Sequence, residues 1–402
     1  MPKKLTTAVF VLNCGSSSIK FQVIDVKEEK VLMSGLAENV QTDRCVLKWE
    51  KGKEKKEKNL AQSEYHDVLE EVAGLVLEDK ALKESLIAIG HRVVHGGEAF
   101  SRSVKIDDEV LGQIHACSHL APLHNPVNAL GILLMQEKFR GVEQVAVFDT
   151  AFHQTLPPYA FMYAIPFQYY EKHEVRRYGF HGTSHRYIAL EAAVRLRKKP
   201  SEISLISAHL GNGCSVCAIQ DGQSVDTSMG LTPLEGLMMG QRSGDLDPGA
   251  VAFLAEKLKI DAGEVVTVLN KMSGLLGVSG ISEDLRLVKK AADEGDELAV
   301  LAIEMFCYRL AKYIGSYLIP LGLPDALVFT GGIGENAAFI RERVIEWLEP
   351  MGFIVEKTRN THHGKKSNGK ISKDEAALAI MVIPTNEELM IARDALKLVE
   401  ES

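Results

Sequence analysis

Four charged residues lie in turns at the ends of predicted strands: Arg92, Asp149, His181 and Arg242. Taken singly, each is explained more simply by a surface salt bridge. Taken together, they supply two guanidinium groups, an imidazole and a carboxylate. A phosphoryl group in transfer spreads negative charge over three equatorial oxygens, and two arginines with a histidine are suited to stabilise that charge. The set therefore indicates phosphoryl-transfer chemistry.

Two further residues offer oxygen atoms that suit a divalent cation. Asn13 lies in the first turn of the chain, and Glu387 lies in the last turn, at residues 384–388. Mg2+ keeps several of its waters and takes few protein ligands, most of them oxygens. Asn13 and Glu387 are therefore candidate magnesium ligands.

Two stretches of the chain share the pattern strand, small-residue turn, strand. They cover residues 12–20 and 209–215, and their asparagines, Asn13 and Asn212, are 199 positions apart, about half of the chain. Small residues let backbone N–H groups approach a phosphate closely. An ordinary polar hairpin turn explains either stretch alone. The repetition, however, suggests two lobes that face one nucleotide across a cleft.

A glycine-rich loop at residues 331–334 follows the apolar run 326–329. It is too short, and too late in the chain, for a dinucleotide-binding fingerprint. A tight strand–helix turn is the simpler explanation. The alternative is a loop at a helix start on which an adenine or a ribose lies flat.

Other familiar motifs are incomplete. The chain has no G-x-x-x-x-G-K-[ST] sequence, which excludes a P-loop enzyme. The pairs His91/His95 and His181/His185 have zinc-ligand spacing but lack the glutamate of H-E-x-x-H. The pattern therefore gives no support for a zinc protease.

Length and composition limit the classes of protein to which this chain can belong. The 402 residues suit two large domains, and 46% hydrophobic with 25% charged residues is typical of a globular protein. A net charge of −8 argues against nucleic acid as a partner, and no apolar run reaches the ~20 residues of a membrane span. The start, residues 1–12, is interpreted as a first strand rather than a signal peptide. Six irregularly spaced cysteines fit a reducing cytoplasm, and Cys214 and Cys217 are interpreted as core residues.

Strands and helices alternate along the chain, which predicts an α/β protein. Residues 1–150 with 385–402 are predicted to form one lobe, and residues 151–384 the other, with 151–180 as an irregular passage between them. The charged run 48–58 is predicted to be a solvated hairpin or loop. Asn125 is predicted to cap a helix that runs to about residue 139. The predicted helices are 63–79, 125–139, 183–197, one opened by Asp247, 296–319, one after Asn336, and a closing helix that returns to the first lobe.

The ordered set of motifs resembles the acetate kinase family and spans residues 8 to about 395. The matching stretches are LNCGSSSIK (12–20), GHRVVHGG (90–97), APLHNP (121–126), FDTAFH (148–153), YGFHGTSH (178–185), HLGNG (209–213), RSGDLDP (242–248), GGIGEN (331–336) and TNEE (385–388).

This resemblance implies the fold of the acetate and sugar kinase, Hsp70 and actin superfamily. Two duplicated ribonuclease-H-like lobes, each on a five-stranded mixed sheet flanked by helices, would border a nucleotide cleft. It implies reversible transfer of phosphate from ATP to acetate, giving acetyl phosphate and ADP, with Mg2+ or alternatively Mn2+. It also implies a cytoplasmic homodimer, with the acyl and metal site in the first lobe and the adenosine site and dimer contacts in the second.

The resemblance also implies residue roles. Arg92 would bind the substrate carboxylate or its phosphate, Asp149 would be the catalytic carboxylate, and His181 and Arg242 would stabilise the transition state. Asn13 and Glu387 would hold the metal, with Glu388 as the alternative to Glu387. The ATP contacts would be Lys20, His209, Leu210, Gly211, Asn212, Gly213, Asp284, Leu285, Arg286, Gly332, Ile333, Gly334, Glu335 and Asn336.

The acyl group would lie against Val94, Leu123, Phe180 and Pro233, for which core packing at loop ends is the alternative. A carboxylate is already ionised at neutral pH, so its attack needs no general base, and direct in-line transfer is favoured. One methylene changes binding by only ~1–3 kcal/mol, so a propionate or butyrate kinase remains an alternative. A non-catalytic nucleotide switch of the same fold is a further alternative.

Overall fold

The structure is a computed structural model that describes residues 7–15 and 17–401. It divides into two compact units. The first unit runs up to Gln154 and includes the chain from Asn386 onward, and the second spans Thr155–Thr385. Residues 1–6, the start of the stretch interpreted as a first strand, and Ser16 in the first hairpin turn lie outside the described residues.

The strands, in chain order, follow the predicted apolar runs. They are β1 (Ala8–Cys14), β2 (Ser18–Asp25), β3 (Lys30–Glu38), β4 (Val46–Lys51), β5 (Glu54–Asn59), β6 (Leu86–Val93), β7 (Val104–Lys105), β8 (Glu143–Phe148), β9 (Leu205–Leu210), β10 (Cys214–Gln220), β11 (Gln223–Thr227), β12 (Ala326–Thr330) and β13 (Ala379–Val382).

The helices lie between these strands and after the last of them. They are α1 (Tyr65–Leu77), α2 (Lys80–Ser85), α3 (Asp108–Ala116), α4 (Asn125–Lys138), α5 (Pro158–Phe161), α6 (Gln168–His173), α7 (Gly182–Leu196), α8 (Pro248–Leu258), α9 (Ala262–Lys271), α10 (Gly274–Ser279), α11 (Leu285–Asp293), α12 (Glu297–Ser316), α13 (Leu318–Leu321), α14 (Gly331–Asn336), α15 (Ala338–Leu348), α16 (Lys357–Thr361) and α17 (Glu387–Glu400).

The first unit contains one mixed sheet in the order β5-β4-β3-β2-β1-β6-β8-β7. Strand β1 pairs antiparallel with β2 and parallel with β6, and β6 pairs parallel with β8. One face is covered by a core in which the ring of Phe10 meets Phe21 edge-on at 6.1 Å and Phe139 at 5.7 Å. Apolar residues on α1 and α4 join this core, and burying each large side chain contributes about 1.5–3 kcal/mol.

Helix α17 packs on β6 and places residues 387 and 388 in this unit. The approach requires a glycine in the strand, because a Cβ at Gly90 would lie 2.6 Å from Cγ2 of Ile391. The N-cap residue Asn386 accepts a hydrogen bond from the N–H of Leu389 at 3.0 Å, which fixes where the helix begins.

The second unit contains a mixed sheet in the order β11-β10-β9-β12-β13. Strand β9 pairs antiparallel with β10 and parallel with β12, and β12 pairs parallel with β13. The five strands β3-β2-β1-β6-β8 of the first unit have the same order and directions. The predicted duplicated α/β fold is therefore confirmed.

Several local predictions are wrong. The first sheet has eight strands instead of five, because the charged 48–58 hairpin pairs through β4 with β3, and β7 adds an edge. The predicted glycine-rich loop is helix α14, directly followed by α15. The passage 151–180 contains α5 and α6. Asn125 does not cap α4, because its Oδ1 and Nδ2 hydrogen-bond to the backbone of His95.

Within the described ranges, no helix combines the length and apolar character that a bilayer crossing requires.

Candidate active site

The first unit gathers Asn13, Arg92 and Asp149 where three neighbouring strands end. Asn13 in β1 pairs in register with Arg92 in β6, and Asp149 directly follows β8 on the other side of β6. The guanidinium Nε of Arg92 donates to both carboxylate oxygens of Asp149 at 3.0 and 3.2 Å, and Nη2 donates to Oδ2 at 2.5 Å. Nη1 donates to Asn13 Oδ1 at 3.0 Å. Sheet register therefore brings together three residues from distant parts of the sequence.

The ion pair decides the charge state of Arg92. Burial alone would lower the pKa of this guanidinium, but the adjacent Asp149 carboxylate, with Glu387 and Glu388, raises it above its ordinary value. Arg92 therefore stays charged. Because both oxygens of Asp149 accept from Arg92, this carboxylate is arranged to hold the guanidinium rather than to remove a proton.

Helix α17 begins with two glutamates that differ in their partners. Glu388 is buried and pairs with Lys20 Nζ at 2.5 Å. The Glu387 carboxylate has no hydrogen bond or ion pair with any other described residue, and its pKa is raised to about 7, chiefly by burial and further by Asp149 and Glu388. An unpaired carboxylate of this kind is stabilised by a bound cation.

The two predicted acyl-pocket residues of this unit have different surroundings. Val94 is buried, and its N–H donates to Asn128 Oδ1 at 3.1 Å. Leu123 is 60% exposed. The structure therefore does not bury Leu123 within the first unit.

In the second unit, His181 and Arg242 converge on the turn between β9 and β10. A Cβ built on Gly213 would lie 3.4 Å from Arg242 Nη1 and 3.5 Å from His181 Nε2. Gly213 thus keeps room for both side chains. His181 precedes α7 with a φ of 57°, and Phe180 before it is buried. The structure therefore brings both predicted transition-state residues to the second hairpin.

Arg242 is a partly buried cation that lacks an anionic partner. Its Nη1 donates to the carbonyl of Pro233 at 3.2 Å and contacts the sulfur of Met239 at 3.7 Å. It forms no ion pair with any residue that the structure describes, and burial lowers its pKa. A guanidinium held this way favours an anion beside it.

His181 is oriented by two contacts. Its Nδ1 lies 2.9 Å from Ser215 Oγ, and its ring stacks on that of His209 with centroids 4.3 Å apart. The Nδ1 of His209 in turn lies 2.8 Å from Ser184 Oγ. Hydrogen bonding at Nδ1 of His181 leaves Nε2 as the nitrogen that lies toward Gly213.

A cavity of about 800 Å3 lies in the second unit, beside the second hairpin. A volume of this size is within the range of small-molecule sites. Its lining includes the predicted nucleotide residues Gly211, Asn212, Asp284, Leu285, Arg286, Gly332, Ile333 and Asn336.

Other predicted nucleotide residues lie elsewhere. His209, Leu210, Gly213 and Gly334 are near the cavity in sequence but are not among its principal lining residues, and Lys20 is in the first unit. Glu335 Oε1 accepts from the backbone N–H groups of Gly331 at 3.1 Å and Thr385 at 3.2 Å. Its carboxylate is therefore already engaged by the backbone.

The cavity also has lining residues that the motifs did not indicate, among them Glu283, Lys289 and Phe339. Lys289 Nζ lies 5.2 Å from the ring centroid of Phe339. Glu283 Oε2 is buried without a hydrogen-bond partner among the described residues. No local sequence pattern distinguishes these positions, so only the fold identifies them.

Comparison with known proteins decides the family. The sequence model of the Acetokinase family matches residues 8–393. The chain belongs to the acetokinase family. It is 51% identical to an acetate kinase of Shewanella amazonensis over 98% of this chain and 99% of that protein.

Solved structures agree with this membership of the acetokinase family. A propionate kinase from Francisella tularensis superposes with a TM-score of 0.93 at 48% identity, over 98% of this chain and 100% of that one. Porphyromonas gingivalis acetate kinase superposes with a TM-score of 0.90 at 43% identity, over 98% and 100%. The resemblance indicated by the ordered motifs is therefore confirmed.

The Arg92–Asp149 pair generates a stability prediction. Changing Asp149→Asn leaves a largely buried guanidinium without its main counter-charge, while Glu387 partly replaces it. We expect the free energy of unfolding of this acetokinase to fall by about 2–3 kcal/mol, measured by denaturant titration. Asp374→Asn, which breaks a more exposed pair with Arg359, should cost under about 1 kcal/mol. Equal losses in the two variants would contradict this assignment.

Proposed function

We propose that this acetokinase transfers the γ-phosphoryl group of ATP reversibly to the carboxylate of acetate, giving acetyl phosphate and ADP. The observation that carries the proposal is Arg242, a partly buried guanidinium with no ion pair among the described residues, converging with His181 on Gly213. Donors of this kind suit the charge that develops on a transferring phosphoryl group. A simple nucleotide switch has no need for such an anion site.

The chemistry needs no general base. A carboxylate substrate is ionised at neutral pH, so direct in-line attack requires only that two anions be brought together. Arg92 would bind the carboxylate or its phosphate, and Asp149 would hold Arg92 in place through its paired hydrogen bonds. His181 and Arg242 would stabilise the equatorial oxygens in the transition state.

The donor set of the first unit fits Mg2+, with Mn2+ as the alternative. Glu387 is a carboxylate without a partner among the described residues, and Asn13 offers an amide oxygen. Glu388 is the poorer candidate because Lys20 neutralises it. No cluster of three or more His, Cys, Asp or Glu side chains in residues 7–15 and 17–401 could hold a metal. Mg2+ takes few protein ligands, and the bound ion would neutralise phosphate charge.

The nucleotide would occupy the cavity beside the second hairpin. Gly332 and Ile333 at the start of α14 line this cavity and would contact the base or ribose, and Asp284 and Arg286 lie at the start of α11. Asp284 accepts from the N–H of Arg286 and pairs with its guanidinium at 2.6 Å, which keeps both at the rim. The remaining predicted contacts, His209, Leu210, Gly213, Gly334, Glu335 and Lys20, stay assigned to ATP as part of this proposal.

Propionate is the second candidate acceptor, because the structure superposes well on a propionate kinase. Val94, Leu123, Phe180 and Pro233 are proposed to limit the acyl group. An added methylene alters binding by about 1–3 kcal/mol, so we expect acetate to be preferred rather than exclusive.

Trapping the product tests the activity. The protein is incubated with MgATP, hydroxylamine and either acetate, propionate or butyrate, and the hydroxamate formed from acyl phosphate is measured. We expect the largest kcat/KM with acetate, and about tenfold or more below it with butyrate. A larger value for propionate would make this a propionate kinase. No hydroxamate with any acid would favour the nucleotide switch.

A substitution of Arg242 tests its proposed role in stabilising the transition state. We expect Arg242→Ala to lower kcat by about 100- to 1,000-fold while the unfolding curve stays close to that of the wild type, because one donor to the transition state is lost. Arg140→Ala removes an exposed arginine of the first unit and should leave kcat unchanged. A near-normal rate for Arg242→Ala would remove this residue from the mechanism.

The protein is also proposed to be a cytoplasmic homodimer. Helix α8 contains no buried residue, and two of its large apolar side chains, Phe253 and Leu258, are 58% and 55% exposed. Val266 and Met272, in and just after α9, are exposed as well. Apolar surface of this kind is typical of a surface that a second copy covers. Cys14, Cys45, Cys214 and Cys307 are thiols, which fits a reducing compartment.

Light scattering after size-exclusion chromatography tests the dimer. Phe253→Glu places a charge on the exposed apolar face of α8, so we expect it to shift the mass from two chains to one. Val194→Glu changes a 72% exposed residue on α7 and should leave the dimer intact. A dimer that persists in Phe253→Glu at low micromolar concentration would place the interface elsewhere.

A further inference from the structure

Helix α7 brings two histidines together on one face. His181 is the N-cap residue of the helix, and His185 lies four residues later, so their side chains lie on the same face. Ser215 Oγ lies 2.9 Å from His181 Nδ1 and 2.8 Å from His185 Nε2. Ser207 Oγ lies 2.9 Å from His185 Nδ1. The two histidines of the H-x-x-x-H pattern, which is not a zinc motif, are thus part of a hydrogen-bonded chain of four side chains.

The inner members of this chain are closed off from water. His185, Ser207 and Ser215 have no exposed surface. Buried polar groups are almost always hydrogen-bonded, so the protons of the chain must be matched within the protein. Among the described residues, the hydroxyl of Ser207 has only His185 as a hydrogen-bond partner. The Ser207 proton is therefore best satisfied by pointing at His185 Nδ1.

The orientation of the Ser207 proton sets the direction of donation in all the hydrogen bonds that link these four side chains. If Ser207 donates to Nδ1 of His185, the proton of neutral His185 is on Nε2 and is donated to Ser215. Ser215 then has its own proton free to donate to Nδ1 of His181. Neutral His181 must consequently carry its proton on Nε2. The opposite direction leaves the proton of the buried Ser207 hydroxyl without an acceptor among the described residues, which is unfavourable.

We propose that Ser207, His185 and Ser215 are positioning residues that fix the tautomer of His181, so that Nε2 is a hydrogen-bond donor even when the imidazole is neutral. This deepens the proposed function and rests on it, because Nε2 is the nitrogen beside Gly213 and Arg242. A donor at Nε2 stabilises a phosphoryl oxygen, whereas a bare lone pair there would repel it.

Several titratable or charged groups face His181. His209 stacks on its ring, Arg242 lies beside the same glycine, and His185 is linked to it through Ser215. The thiol of Cys214 is neutral because burial raises its pKa to about 12. Strand β12, which also packs on α7, carries no titratable side chain. An ordinary imidazole is largely neutral at physiological pH, so its tautomer decides which ring nitrogen is a donor there.

Ser207→Ala tests the proposal, because this residue contacts neither His181 nor the proposed substrates. We expect kcat to fall about two- to tenfold at about pH 8.5, because an ordinary neutral imidazole that lacks this hydrogen bond divides between its two tautomers. At about pH 5.5 the deficit should vanish, because an imidazolium carries protons on both nitrogens. KM values should change less than about twofold. Ser228→Ala, which removes a buried hydroxyl that accepts from the N–H of Val216, is the matched control and should show no pH-dependent deficit.

The tautomer itself is read by 15N–1H NMR of histidine-labelled full-length protein without substrates, with the His181 signals assigned by their loss in His181→Gln. We expect protonation at Nε2 in the wild type and a mixture of tautomers in Ser207→Ala and Ser215→Ala. A wild-type proton on Nδ1, or a kcat deficit in Ser207→Ala that is the same at every pH, would overturn the proposal. If no acid is phosphorylated, the proposed function fails, yet the NMR spectra still decide the tautomer.

Discussion

The ion pair between Arg92 and Asp149 is the interaction on which the first unit's site depends. A guanidinium at the end of β6 loses much of its hydration, and the adjacent carboxylate keeps it charged. The same hydrogen bonds occupy both oxygens of Asp149. Because Asp149 is engaged by Arg92, it is not available as a general base. A reaction at this site would therefore need a nucleophile that is already ionised. A carboxylate substrate meets that condition, and an alcohol does not.

In the second unit, the environment of Arg242 differs from that of Arg92. Arg242 has a carbonyl and a thioether as partners, and burial lowers its pKa instead of a carboxylate raising it. A cation left without a counter-ion destabilises the ligand-free fold but keeps its full charge for an anion. One unit thus contains a neutralised pair, and the other an uncompensated charge. The proposed transfer between two anions needs net positive charge, and Arg242 is the residue proposed to supply it.

Sequence predicted the features that depend on local chemistry. The hairpins at 12–20 and 209–215, the strands, and the chemistry-bearing residues at strand ends were predictable because turns and apolar runs are local patterns. The sequence could not show which strands become neighbours. Pairing of β9 with β12 joins residues more than 100 positions apart, and the cavity lined by Phe339 and Lys289 depends on it.

The same limit explains the misassigned Asn125 and the overlooked serines. Asn125 stands before a proline, where a cap is the usual role, but its amide bridges the backbone of a loop that is distant in sequence. Ser207 and Ser215 look like ordinary strand residues. They gain a role only because α7 lies across β9 and β10 and presents His181 and His185 to them.

Duplication supplied two sheets with one strand order, and residue differences at equivalent positions gave them different chemistry. In the first unit, Asn13 of β1 has Arg92 of β6 opposite it. At the equivalent pairing in the second unit, His209 of β9 faces Thr330 of β12, whose hydroxyl is buried and which leads directly into α14. The Arg92 guanidinium is held by the Asp149 carboxylate, whereas the smaller Thr330 leads directly into α14, whose residues Gly332 and Ile333 line the cavity of about 800 Å3. Sheets with one strand order therefore present different side chains at equivalent positions, so any difference in chemistry between the two units lies in the residues and not in the topology.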